Sequence, residues 1–156
     1  MKNYTSYDLI EWGKPFKKSQ HTLPEPTLSE VLIRVTAAGL CHSDLHVQKG
    51  YMDLGEEGRL TFAERGAQLP MTFGHEIAGI VEAIGDKVKN VSIGQQVIVF
   101  PWIGCGDCLA CNEDRESDCS AMRIIGLKQK GGFATHCRIE NEKFLVNIDG
   151  LEATDV

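Results

Sequence analysis

The sequence predicts a mainly β chain of the α+β class, a barrel or sandwich of short strands with a metal-binding lobe. Three observations carry this expectation. β-branched runs recur between glycine and asparagine turns, only two stretches look helical, and four cysteines crowd into fifteen residues. Residues 31–38 alternate, with Val31, Ile33 and Val35 on one face and Arg34 and Thr36 on the other. Ahead of them, Pro24-Glu25-Pro26 must be extended, because proline disfavours the helical region for its predecessor.

Ile77 to Ile84 is a second strand, ended by the turn signal Gly85-Asp86. Gln96 to Phe100 is a third, stopped by Pro101. Gly131-Gly132 opens a strand through Phe133, Cys137 and Ile139, which puts Cys137 in the core and the alternating His136 outside. Phe144 to Ile148 follows as the last strand. One helix of a turn or two fits His42 to Lys49. Glu56 to Arg65, interrupted by Gly58, reads as a loop with partial helix, and the whole 51–69 stretch as a surface loop, with shaping of substrate access or a subunit contact as the alternative. Residues 151–156 look like the first turn of a further helix and the start of a connection, which leaves 1–150 as one domain with a lobe at 104–120.

The lobe is Cys105, Cys108, Cys111 and Cys119, in the order C-x2-C-x2-C-x7-C. Four thiolates so close can surround one soft divalent ion with sulfur at about 2.3 Å, the arrangement of a closed structural zinc site. Gly104 and Gly106 allow tight turns between ligands, and the polar run from Asn112 to Glu116 is expected to keep the loop solvated. Two rivals remain. An iron–sulfur cluster would be expected with a shorter last gap and a following proline, where this chain has Ser120. Disulfides would need an oxidising compartment, and Met1 to Ile10 shows no secretory signal, so a cytoplasmic location is expected.

Composition narrows the function classes. A net charge of −6 without any basic stripe argues against nucleic acid. No apolar run approaches the roughly 18 residues that would cross a bilayer. There is no H-E-x-x-H run, which disfavours metalloprotease chemistry.

Cys41 and His75 form a second candidate constellation, in the segments Gly39-Leu40-Cys41-His42-Ser43-Asp44-Leu45-His46 and Gly74-His75-Glu76-Ile77-Ala78-Gly79. Cys and His are natural ligands for a catalytic zinc that keeps one position open. Gly-His-Glu, followed by Gly79, Gly85 and Val88, resembles the zinc signature of the medium-chain alcohol dehydrogenases. Cys41-His42-Ser43-Asp44 is similar to that family's other catalytic-zinc segment, and the four-cysteine lobe to its structural zinc. The resemblance covers essentially the whole chain and implies a GroES-like, partly open β-barrel, the family's N-terminal catalytic domain.

The same resemblance implies roles. Cys41 and His75 would ligate a catalytic zinc, with Glu76 beside it as an occasional ligand. Asp44 would accept a hydrogen bond from the other ring nitrogen of His75. Ser43 would take the proton of the alcohol, and His46 would pass it to solvent. His42 would approach the pyrophosphate of the cofactor, and Trp102 would line the substrate pocket. The implied reaction is NAD- or NADP-linked oxidation of a small alcohol to an aldehyde or ketone, in an enzyme that forms homo-oligomers. Two family features are missing: this sequence has no G-x-G-x-x-G run, and no cysteine follows Cys137 to act as the third catalytic ligand. The Rossmann domain is therefore expected to be absent from this chain, and the chain alone to be inactive. A zinc-stabilised scaffold without chemistry is the alternative, although such a module has no need of Ser43, His46 and Asp44.

Overall fold

The structure is a computed structural model that describes residues 2–151. β1 (Lys2–Leu9) and β2 (Lys17–Leu23) pair antiparallel, with Lys2 opposite Leu23. β3 (Val31–Gly39) leads into the helix α1 (His42–Lys49), and a hairpin of β4 (Tyr51–Asp53) and β5 (Arg59–Thr61) follows. After β6 (Met71–Thr72) come the long β7 (Glu76–Ile84) and β8 (Gln96–Val99). β9 (Trp102–Ile103), helix α2 (Leu109–Asn112) and β10 (Arg123–Ile124) frame the cysteine lobe, and β11 (His136–Ile139) and β12 (Leu145–Asn147) end the described chain.

Five strands in the order β11-β3-β7-β8-β12 make the main antiparallel sheet, and β2-β1-β6 make a second. The two meet where Tyr7 N–H donates to Phe133 C=O at 2.8 Å and Thr135 N–H to Thr5 C=O at 2.8 Å. The result is a partly open barrel. Register shifts between Leu32 and Ile33 and between Val35 and Ala37 bend the β3–β7 pair, as bulges do where a sheet curls on itself.

One core lies inside the main sheet, where Val31, Ile33, Val81 and Val97 are almost fully excluded from water. Each such side chain contributes about 1.5–3 kcal/mol through burial. A second core joins Leu9, Val47, Phe62, Ala67 and Phe73 beneath α1. Strand alternation thus placed the inner face of β3 correctly, and Cys137 is buried as expected, at 3% exposure.

Other expectations need correction. His136 is buried at 8% exposure, not outside. The β1–β2 sheet covers the outer face of β11, and His136 Nε2 lies 3.3 Å from Glu82 Oε2. Alternation tells which face a side chain takes but not whether a second layer covers that face. The 51–69 segment is no plain surface loop. It holds the β4–β5 hairpin around a 3-10 turn at Gly55–Glu57, and Phe62 and Ala67 are core residues. Strands β1 and β2 were not anticipated, since their polar alternation carries little apolar signal. The helix start expected over 151–156 lies outside the described residues beyond Leu151. No helix among the described residues is long and apolar enough to cross a membrane.

Candidate metal centres and their clefts

The four lobe cysteines converge: their sulfurs all lie within 4.8 Å of one another. Cys108 Sγ is 3.5 Å from Cys111 Sγ, and Cys105 Sγ is 3.9 Å from Cys111 Sγ. The edge of a tetrahedron with sulfur 2.3 Å from its centre is about 3.8 Å, so the spacing suits a zinc-sized ion. Gly104 makes the approach possible, because a Cβ there would strike Cys111 Sγ and Glu116. The donor set therefore fits a structural zinc. Backbone N–H groups of Asp107 and Cys108 aimed at Cys105 pull its thiol down to about 6. The Gly106 N–H also favours the Cys111 thiolate, but burial and the neighbouring thiols prevail and push Cys111 up to about 11. A cluster with one thiol readily ionised and another resisting ionisation is what unneutralised, crowded sulfurs produce; a cation relieves that repulsion.

Glu116 departs from its expected role as a solvated loop residue. It is buried and ion-paired with Lys143, whose hydrogen bond, more than its charge, holds the Glu116 carboxyl below the ordinary range. This pair ties the lobe to the segment ahead of β12. Arg123 adds a second tie, through Glu140 and the Gly104 carbonyl.

The second centre is built where β3 ends and β7 begins. Cys41 is the N-cap of α1, with the extended backbone (φ −81°, ψ 153°) that caps adopt. The helix stops at Gly50, whose φ of 90° is in the left-handed region that glycine tolerates. His75 immediately precedes β7 and Glu76 begins it, and donor atoms of Cys41, His75 and Glu76 lie within 4.8 Å of one another. A Cys-His-carboxylate set also suits zinc.

Asp44 joins these parts. Its Oδ2 accepts the Cys41 N–H at 3.0 Å, and its Oδ1 lies 3.6 Å from His75 Nδ1. The second distance is that of an ion pair and is long for the hydrogen bond expected from the sequence. Asp44 facing Nδ1 raises His75 to about 9, with smaller contributions from Cys41, while burial opposes the shift. The Ser43 hydroxyl and N–H, followed by His75, hold the Cys41 thiol below its ordinary value. Ser43 Oγ sits 3.4 Å from His75 Nε2.

Two clefts open on this centre and share His75, Pro101 and Trp102. The outer cleft, about 670 Å³, is lined by Cys41, Glu76 and small apolar groups from β3 and β8. The inner cleft, about 210 Å³, holds Ser43 and Asp44. His42 and His46 line neither; they face each other edge-on along α1, with ring centroids 4.8 Å apart. The apolar walls of the inner cleft, Met52, Phe62, Ile124 and Leu127 among them, were missed from the sequence. No spacing motif marks residues that meet only through the fold.

A partly open barrel that carries a four-cysteine lobe and a Cys-His-Glu group is the arrangement expected of a GroES-like dehydrogenase domain. The sequence profile described as "Alcohol dehydrogenase GroES-like domain" matches residues 27–150, and the chain belongs to that family. It is 39% identical over 148 residues to an NAD-dependent alcohol dehydrogenase of Sulfurisphaera tokodaii, covering 94% of this chain and 41% of that protein. The crystal structure of the D-arabinose dehydrogenase from Sulfolobus solfataricus superposes with a TM-score of 0.81 at 29% identity, covering 98% of this chain and 42% of that one. A cobalt- and zinc-bound alcohol dehydrogenase from Pyrobaculum aerophilum superposes with a TM-score of 0.77 at 26% identity, covering 96% and 42%. The chain thus spans about two fifths of the length of these relatives.

Proposed function

We propose that this chain is the zinc-binding catalytic domain of an NAD- or NADP-dependent alcohol dehydrogenase. The observation that carries this reading is the convergence of Cys41, His75 and Glu76 beside the Ser43 hydroxyl, at the junction of two clefts. The relatives support it, being alcohol and sugar dehydrogenases by name.

Cys41 and His75 would hold a catalytic zinc, with Glu76 as a further donor, and Cys105, Cys108, Cys111 and Cys119 a structural one. A bound zinc supplies Lewis acidity that makes an alcohol hydroxyl easy to deprotonate. Asp44 keeps the His75 ring oriented, with Nδ1 toward the carboxylate and Nε2 toward the site. Ser43 Oγ receives the proton of the alcohol, and His46 on the same helix passes it outward. Trp102 and the apolar walls exclude water from the site; a bound nicotinamide cofactor would supply the hydride acceptor, and His42 is the residue that would approach its pyrophosphate. The sequence has no G-x-G-x-x-G cradle, so the 156-residue chain alone is inactive. The test is metal content of the purified chain, together with an assay for NAD- and NADP-linked alcohol oxidation. The expected result is about two zinc ions per chain and no turnover. One zinc, lost on Cys111→Ser, would refute the catalytic centre, and steady turnover would refute the inactivity.

A further inference from the structure

Two histidines stand one turn apart on the solvent side of α1. The helix buries Asp44 and Val47, which leaves His42 exposed and His46 half-buried beside it. Positions i and i+4 share a helix face, and the two rings meet with centroids 4.8 Å apart and planes 68° apart. Among the described residues, no hydrogen bond or ion pair engages a ring nitrogen of either. Both helix ends are fixed, by the Cys41 N–H on Asp44 Oδ2 at 3.0 Å and by the Gly50 N–H on the His46 and Val47 carbonyls. The backbone therefore holds the two rings at this spacing.

We infer that His42 and His46 form a two-imidazole clamp for a divalent ion such as Cu²⁺ or Ni²⁺, separate from the Cys41–His75 centre and from the cysteine lobe. Imidazole nitrogen suits copper, nickel and zinc, whereas magnesium and calcium call for oxygen donors. With metal–nitrogen bonds of about 2.0–2.1 Å and each ring centre about 1.1 Å behind its nitrogen, two imidazoles on one ion stand about 4.5 Å apart at a right angle and about 5.2 Å apart at the tetrahedral angle. The observed 4.8 Å falls between the two. Bringing one nitrogen of each ring onto a common ion then takes only ring rotation, and χ2 of histidine is a broad torsion. Water completes the coordination on the exposed side, and Cu²⁺ is expected to bind more tightly than Ni²⁺ or Zn²⁺. In the function proposed above, the same two rings carry the proton outward and approach the pyrophosphate, so an ion held here would withdraw both. The clamp itself does not depend on that reading.

The experiment is calorimetric titration of the 156-residue chain, saturated with zinc and freed of excess, with Ni²⁺, which does not oxidise thiols as Cu²⁺ does. Histidine ring proton resonances and released zinc are followed in parallel. The expected result is about one Ni²⁺ per chain, with the His42 and His46 signals broadened ahead of those of His21 and His136 and the zinc retained. His42→Gln and His46→Gln should each weaken binding roughly tenfold to a hundredfold, because a chelate that loses either ring is left with a single imidazole. His42 is exposed, so its replacement should leave the nickel-free thermal midpoint unchanged. Unchanged affinity in either variant, or uptake of nickel only as zinc is released, overturns the clamp.

Discussion

Asp44 faces two candidate ligands of one centre at once: one carboxylate oxygen receives the Cys41 N–H at 3.0 Å and the other lies 3.6 Å from His75 Nδ1. The side chain is almost fully buried, so its charge is little screened. A single carboxylate thus starts helix α1 and aims the His75 ring, which couples the order of the helix to the geometry of the centre.

Asp44→Asn separates these duties. The amide oxygen still accepts the Cys41 N–H, but the charge facing His75 is gone. Zinc affinity at the Cys41–His75 centre is expected to fall about 10–100-fold, with the four-cysteine lobe unaffected. Chelator competition that resolves two classes of zinc checks this; equal weakening of both classes would count against it.

In the lobe, Glu116→Gln removes the charge that Lys143 answers. Lys143 is 42% exposed, so solvent screens the pair and the cost is only about 1 kcal/mol. Hydrogen exchange should show faster opening of the 104–120 amides and no change in β3 or β7.

Removing a lobe ligand acts more strongly. Cys111→Ser, at a position 5% exposed, should release the structural ion and destabilise the lobe, because metal binding and local folding are one equilibrium. The thermal midpoint is expected to drop by several degrees and to stop responding to chelator.

Acid sensitivity is expected from Asp8. Burial pushes its carboxyl up, but the Thr72 hydroxyl, which donates to Oδ1 at 2.6 Å, and His21, 3.1 Å from Oδ2, help to hold it below the ordinary value of 3.8. A carboxyl depressed in the fold contributes stability that is present above its unfolded pKa and is lost as pH falls through the folded one. Urea midpoints should therefore be flat near pH 6 and decline below about pH 4. Asp8→Asn should flatten that decline while costing about 1–3 kcal/mol at neutral pH, since the buried site loses an acceptor matched to its donors.

Phe73, fully excluded from water beneath α1, tests the second core. Phe73→Ala should cost about 3–5 kcal/mol in urea unfolding. Because Phe73 precedes Gly74 and His75, looser metal binding at His75 is expected to accompany the loss.

Local order was legible in the residues themselves. The period-2 runs of β3 and β7, the short helix over His42–Lys49 and the C-x2-C-x2-C-x7-C lobe are set by backbone sterics, side-chain alternation and ligand spacing, which act within a few residues. The pairing of Cys41 with His75 was legible only as a resemblance between two segments. What tertiary structure alone decided was whatever depends on groups distant in sequence. It covered His136 with a second sheet, buried Glu116 against Lys143, and drew Phe62 and Met52 around the cleft that Ser43 opens. Burial and long-range pairing arise when layers close on one another, and no short stretch of sequence records which layer will cover it.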